Sequence, residues 1–295
     1  MKKPNAILSV VFDPGSIDLE PFLGTLEKTS FNGDIVFFVT WATEQQLADL
    51  KARGIIVESF SYFHYRKNNP LTFIWPFWKL LFRLLPSLEL KKRIGQYVFN
   101  MMSVRFVIYH DYLAKHPDKY ANILLTDARD VIFQDDPFRD FDEPGVCFFM
   151  EDARYTLGNE SKCRHMVEAS YGTAIADQMG HLPISCAGTT MGPSPAILEY
   201  LDLMLDHLFT TRWMHRVCVN DQGIHNYLAH YTLKDRSKQF VNEHGRIHTM
   251  GLCKPEDFHF NSEGLMINAN GSLIPVLHQY DRFKEIAQSL LAKLA

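Results

Sequence analysis

Two carboxylates, Asp127 and Asp130, interrupt an apolar run that reads Ile123-Leu124-Leu125-Thr126-Asp127-Ala128-Arg129-Asp130-Val131-Ile132-Phe133. A short leucine-rich and β-branched run is the pattern of a buried strand in an α/β sheet, and ligands of such sheets gather where strands end. Residues i and i+3 of a continuing strand face opposite sides of the sheet. These carboxylates can therefore converge only if the chain leaves the strand between them and turns. Converged, they would suit a hard divalent cation, which favours oxygen ligands and commonly completes its shell with the phosphates of a substrate. The competing reading is a surface turn in which Arg129 neutralises its acidic neighbours.

The elements that must position this turn alternate between strand and helix. Ala6–Phe12 reads as a strand, Leu19–Thr29 as a helix, and Asp34–Thr40 as a second strand. A helix over Thr43–Arg53, closed by Gly54, leads to a third strand at Ile55–Phe60. A long helix over Val98–Lys115 delivers the chain to the strand Asn122–Thr126, and Gly145–Met150 supplies another strand. The succession predicts a doubly wound, mostly parallel α/β sheet with helices on both faces. The second half is more mixed, with helical patterns near Glu160–Tyr171, Ala196–His207 and Asp221–Ala229, and a small-residue segment over Ser185–Gly192.

With 295 residues, 46% of them hydrophobic, the chain can bury a large core as one domain. A formal net charge of -4 argues against a general nucleic-acid binder. Five cysteines (Cys147, Cys163, Cys186, Cys218 and Cys253) form no Cys-x-x-Cys pair, and their odd number argues against a disulfide framework. The apolar stretch near the N-terminus is too short and too soon interrupted by Asp13 for a secretory signal, and no later run is long enough to span a bilayer. A cytoplasmic, reducing location is the expectation.

The charge is unevenly spread. His64–Arg93 carries seven basic residues against Glu89 alone, a balance of +6 that leaves -10 for the remainder of the chain. The same segment holds Trp75, Phe77, Trp78 and Phe82, so aromatic bulk and basic charge coincide as they do in interfacial helices. Peripheral contact with the inner face of a membrane through residues 70–93 is one expectation. A core-facing insertion with a solvated basic edge, a cover for the active site and a surface for the acceptor are the others.

The string Leu125–Phe133, followed by Gln134 and Asp136-Pro137-Phe138, resembles the metal-binding segment of GT-A-fold glycosyltransferases that use nucleotide sugars. Most of that family shows Asp-x-Asp. The Asp-x-x-Asp spacing here is similar to that in the glucosyltransferase domain of procollagen lysyl hydroxylases. Ser185–Gly192 resembles the family's small-residue strand near the acceptor, Asn220-Asp221-Gln222 its Asp-Gln helix start, and Leu277–Arg282 the C-terminal segment that returns a histidine to the metal. The resemblance spans roughly residues 6–283 and implies a single GT-A domain over 1–295 with a basic aromatic insertion at about 64–93.

What the resemblance implies can be stated residue by residue. Asp127, Asp130 and His278 would bind Mn²⁺ or Mg²⁺, the imidazole suiting Mn²⁺ better, although His278 read by itself could equally be a buried, hydrogen-bonded histidine. Asp127, Arg129, Gly188, Gln222 and Arg282 would bind the donor, a UDP-sugar by expectation, although Arg129 could simply compensate the carboxylates. Asp281 and Arg282 could instead form a local ion pair, and Gly188 and Gly192 would allow the sugar to approach. Asp221 would contact the sugar, cap its helix, or both, while Glu151 and Asp152 would serve the acceptor, a carbohydrate, lipid-linked group or protein. The implied enzyme is a glycosyltransferase of the hexosyl type, retaining in mechanism. Two rivals stand beside it: a noncatalytic carbohydrate-binding or peripheral membrane protein on the same scaffold, and a phosphatase of the haloacid dehalogenase type. The phosphatase expects its second aspartate where this chain has Arg129.

Overall fold

The computed structural model describes residues 3–62, 70–213 and 220–294. His64, Arg66 and Lys67 of the basic segment, and Cys218, lie outside the described residues. The first half runs β1 (Ala6–Phe12), α1 (Glu20–Glu27), β2 (Asp34–Thr40), α2 (Glu44–Ala52), β3 (Ile56–Ser59), α3 (Trp75–Leu84), α4 (Leu88–Val98), α5 (Met101–Lys115), β4 (Asn122–Thr126) and β5 (Val131–Phe133). The second half runs β6 (Val146–Met150), α6 (Ser161–Tyr171), α7 (Thr173–Met179), β7 (Ser185–Pro193), α8 (Ser194–Thr210) and α9 (Asp221–Tyr227). It closes with β8 (Ser237–Phe240), β9 (Ile247–Thr249), β10 (His259–Phe260), β11 (Met266–Ile267), β12 (Val276–His278) and α10 (Lys284–Leu294).

Seven strands form the central sheet in the order β3-β2-β1-β4-β7-β6-β8. All its pairings are parallel except those of β7, which runs antiparallel to both β4 and β6. The mostly parallel α/β sheet expected from the sequence is therefore present. Strands β1, β2, β4 and β6 are largely apolar on both faces, and their alternate residues divide between two cores. Leu8, Val36, Phe38, Ile123, Leu125 and Phe148 pack with the α5 and α8 side, while Ile7, Phe37, Val39, Leu124, Cys147 and Phe149 pack with α1.

A second sheet, β5-β12-β9, stands beside the first. Val131, Phe133 and Val276 face the core beneath α1, whereas Ile132 and Leu277 face a third core closed by Leu290 of α10. The chain thus leaves the central sheet after Thr126 and enters the second sheet at Val131. The turn required for convergence of Asp127 and Asp130 is the passage between two sheets.

Local differences from the sequence reading have physical causes. Val98–Lys115 is not one helix: Phe99 is extended, and Asn100 caps a new helix by accepting from the Ser103 N–H at 2.9 Å. Ser185–Gly192, in contrast, is the strand its resemblance implied, an interior one whose small side chains fit between β4 and β6; Gly192 meets the Gly145 backbone 3.1 Å from where a Cβ would stand. Asp221–Ala229 is helical only to Tyr227 and then widens over Leu228–Thr232.

In α3 the aromatic residues divide by face. Trp75 and Phe82 are buried against Phe99 and Phe209, and the Trp75 N–H donates to the Thr211 carbonyl at 3.2 Å, while Phe77 is exposed. Trp75→Ala should cost about 3–5 kcal/mol by loss of packing, against less than about 0.5 kcal/mol for Phe77→Ala. Urea unfolding of the two variants checks this, and equal losses would overturn the division.

Candidate active site

Strand register brings the carboxylates and the histidine together. β12 pairs antiparallel with β5, so His278 sits opposite Val131, one residue after Asp130. The Gln279 N–H donates to the Asp130 carbonyl at 2.7 Å and the Met250 N–H to the His278 carbonyl at 2.9 Å, which fixes β12 on both sides. On the other flank Thr126 opposes Thr189, and the Asp127 N–H donates to the Gly188 carbonyl at 3.0 Å. Gly188 is required here, because a Cβ would lie 2.6 Å from His278 Cε1 and 2.8 Å from Asp127 Oδ2.

One ligand atom from each of Asp127, Asp130 and His278 lies within 4.8 Å of the others. His278 Nε2 stands 3.8 Å from Asp127 Oδ2 and 3.9 Å from Asp130 Oδ1, fully buried and with no hydrogen-bond partner. Its Nδ1 is engaged by Thr249 Oγ1 at 3.3 Å and Cys186 Sγ at 3.7 Å. A buried, unpartnered nitrogen between two carboxylates meets the requirement for a divalent cation with mixed oxygen and imidazole donors.

Each carboxylate is held by an arginine that also holds a second carboxylate. Arg105, on α5, donates from Nη1 to Asp127 at 2.6 Å and from Nη2 to Asp221 at 2.7 Å and to the Ala187 carbonyl at 3.0 Å. Arg129 donates to Asp130 at 2.8 Å and to Asp281 at 2.9 Å. Each triad is left with one uncompensated negative charge, and the two meet at His278. Burial disfavours the charge on Asp127, yet Arg105, His278 and Arg129 hold its carboxyl below the usual range. Asp130 is pushed up, by burial first and then by Asp127 and Asp281 acting against His278 and Arg129. Burial works against protonating His278, but Cys186, Asp127 and Asp130 overcome it and raise the imidazole well above its ordinary value. A proton would therefore compete with a cation for this position, and the affinity for a cation bound there would rise with pH.

The cluster lies between two adjoining hollows. One, of about 690 Å³, is lined by Val10, Phe12, Ile17, Tyr109, Arg129 and Asp130 among others. The second, of about 430 Å³, is lined by Glu151, Glu160, Lys162, Gly188, Asp221 and Gln222 among others. Met102, Arg105, Asp127, Gln279 and Arg282 line both. These volumes are those of ordinary small-ligand sites.

The remaining residues expected at the site fall as follows. Asp221 is buried beside Arg105, its Oδ1 unpartnered, and burial raises its carboxyl. The preceding Asn220 makes no side-chain cap, its amide donating instead to Thr211 Oγ1 at 3.3 Å. Gln222 accepts from the Ala187 N–H at 2.8 Å and donates to the Ser185 carbonyl at 2.8 Å, bracing β7. Glu151 lines the smaller hollow, whereas Asp152 is bound by Arg154, which counters its burial and lowers its carboxyl. Asp281 pairs with Arg129 more closely than with Arg282, whose Nε lies 3.9 Å away. Gly192 packs within the sheet and does not border the cluster.

Arg105 was not singled out by the sequence reading. Its signal was a guanidinium in the midst of the apolar stretch Val104–Ile108, a placement that demands a buried partner.

No protein-family model and no curated protein matches the chain. Among solved structures it is similar to core-mannan synthase A from Aspergillus fumigatus in a Mn/GDP form, at 16% identity, over 81% of this chain and 73% of that one, with a TM-score of 0.44.

Burial pushes the Glu151 carboxyl up to about 7, against a modest opposing pull from His278. A carboxyl raised in the folded state takes up a proton on folding, so its stabilising contribution is complete below its unfolded value and is lost as pH rises to about 7. Glu151→Gln should therefore gain stability relative to the unmutated protein, by up to about 3 kcal/mol, between pH 4.5 and 7.5 in metal-free buffer. Urea unfolding at several pH values measures the difference, and a difference independent of pH would contradict the buried, protonated carboxyl.

Proposed function

We propose that the protein is a metal-dependent GT-A glycosyltransferase that moves a hexose from a UDP-sugar to a carbohydrate, lipid-linked or protein acceptor. The observation that carries the reading is the meeting of Asp127, Asp130 and the unpartnered Nε2 of His278 at the junction of two hollows. The same residues carry the resemblance read in the sequence. A phosphatase would not need an imidazole directed at its carboxylates, and the intact donor set argues against a scaffold that only binds.

In this reading Asp127, Asp130 and His278 hold Mn²⁺, or Mg²⁺ less well. Bound there, the cation supplies Lewis acidity to the departing nucleoside diphosphate. The larger hollow, beside Tyr109 and Arg129, takes the nucleotide. Arg282, on the border of both hollows, adds positive charge toward the diphosphate as the bond to the sugar lengthens. The smaller hollow takes the sugar and the acceptor hydroxyl. There Asp221, held by Arg105, faces the sugar, and Gly188 keeps the wall between sugar and cation thin. Glu151 has a carboxyl that can hold or release a proton near neutrality, which fits contact with the acceptor hydroxyl. Asp152, committed to Arg154, is less free than Glu151 to meet the acceptor. Retention of configuration is the stereochemical outcome adopted, since it requires no fully ionised base on the acceptor.

Calorimetric titration of UDP with and without Mn²⁺, with GDP as the comparison nucleotide, tests the donor site. UDP affinity should depend on Mn²⁺, and Asp130→Asn should weaken it by at least about tenfold, the loss expected on removing one charged ligand. Unchanged affinity in every case would sink the assignment.

Asp221→Asn should lower the turnover of UDP-sugar hydrolysis by about a hundredfold or more while sparing UDP affinity, because contacts made mainly in the transition state appear in kcat. Lost UDP binding in a folded variant would place Asp221 with the nucleotide instead. Absent hydrolysis with every nucleotide sugar would favour the noncatalytic rival.

A further inference from the structure

α3 turns an apolar stripe away from the protein. Phe77, Leu80 and Leu84 recur at the i, i+3, i+7 spacing of one helix face, and Phe73 in the preceding turn continues the line. Their relative exposures are 73% for Phe73, 57% for Phe77, 58% for Leu80 and 70% for Leu84. These values are far above what a core-facing helix shows. The opposite face is fixed in the interior by Trp75 and Phe82, so the helix cannot rotate to bury the stripe. Ile74, beside the stripe in sequence, and Leu88 and Leu90 at the start of α4 are exposed as well. A continuous exposed patch of this kind marks an interaction surface in a monomeric protein.

Charge identifies what the surface fits. Lys79 and Arg83 flank the stripe on α3, and Lys91 and Arg93 follow on α4; none of the four forms an ion pair among the described residues. Lys92 differs, being buried and paired with Glu89 at 2.9 Å and with Asp111. Four uncommitted cations beside large apolar side chains, in a chain whose net charge is -4, complement an anionic surface that also accepts hydrocarbon. A second copy of this chain would present the same four cations and repel them.

We infer that the outward face of α3, with the basic start of α4, docks on an anionic lipid bilayer. Phe73, Phe77, Leu80 and Leu84 enter the headgroup boundary, while Lys79, Arg83, Lys91 and Arg93 meet lipid phosphates. The inference does not rest on the transferase reading. It corrects the sequence-based expectation in one respect: of the aromatic residues that suggested membrane contact, Trp75 and Phe82 belong to the core, and Phe73, Leu80 and Leu84 take their place.

Flotation of the whole chain with vesicles of neutral phosphatidylcholine, alone or with a third of phosphatidylserine, tests the docking. The protein should float with the anionic vesicles at low salt and detach as ionic strength rises. Lys79→Glu with Arg83→Glu should weaken binding at least about tenfold, given the attraction of each cation to an anionic surface. Phe77→Ser, Leu80→Ser and Leu84→Ser together should abolish it, with an unchanged urea midpoint showing that the fold is kept. Asp130→Asn, which addresses the cleft alone, should bind vesicles as the unmutated protein does. Absent flotation with anionic vesicles overturns the inference, as does binding indifferent to the triple serine variant. A dimer that the triple variant converts to monomer, seen by light scattering without lipid, would assign the face to a second copy and overturn it equally.

Discussion

The arrangement of the cleft depends on one buried guanidinium. Arg105 reaches from the first third of α5 across the end of the central sheet and holds Asp127 at the exit of β4, Asp221 at the start of α9 and the Ala187 carbonyl in β7. Three segments far apart in sequence thereby share one buried cation at the edge of both hollows. Such a triad is not a large net source of stability, because desolvating three charges offsets most of their attraction. Removing one member is another matter, typically costing about 3–5 kcal/mol through the charges left unpaired. Its value to the fold is geometric: it aims one oxygen of Asp127 at Arg105 and leaves the other facing His278.

The same logic explains why the chain changes sheets where it does. Had β4 continued, Asp130 would have faced the opposite side from Asp127. By joining β5 to β12, the chain places Asp130 beside His278 with the register of a backbone ladder, a far stiffer device than a loop. Arg129, between the two carboxylates, binds Asp130 and Asp281, and so offsets repulsion without entering the space between Asp127 and His278. Both readings of the Asp-x-Arg-Asp turn hold part of the truth. Arg129 does neutralise a neighbour, and the carboxylates still converge.

Much of this was legible in the sequence, for identifiable reasons. Strands β1, β2 and β4 were read with their observed bounds because buried parallel strands are apolar on both faces and stand out as runs. The grouping of Asp127, Asp130 and His278 followed from a resemblance in motif order, and register realises it. Less legible was anything that depends on which face of an element meets which neighbour. α3 is apolar nearly all round, so its pattern could not say that Trp75 and Phe82 point inward while Phe77 and Leu84 point out. Arg105 sits in a helix that is buried on almost every side, where amphipathic spacing gives no direction. Gly188 and Gly192 look alike in sequence, yet only the first borders the cluster, because the strand carries them to different depths of the sheet.

The exposed face of α3 and the cleft are joined through α4 and the aromatic cluster that α4 ends on. α4 ends at Val98, Phe99 is buried against Trp75 and Phe82, and Asn100 starts α5, whose Met101 and Met102 line the larger hollow. A membrane bound at α3 would therefore be connected through α4 to the wall of the cleft, with Phe99 holding the start of α5 to the aromatic cluster of Trp75 and Phe82. If α3 docks on lipid, a packed link of this kind would constrain the tilt of the cleft, whereas a flexible linker would set only a tether length.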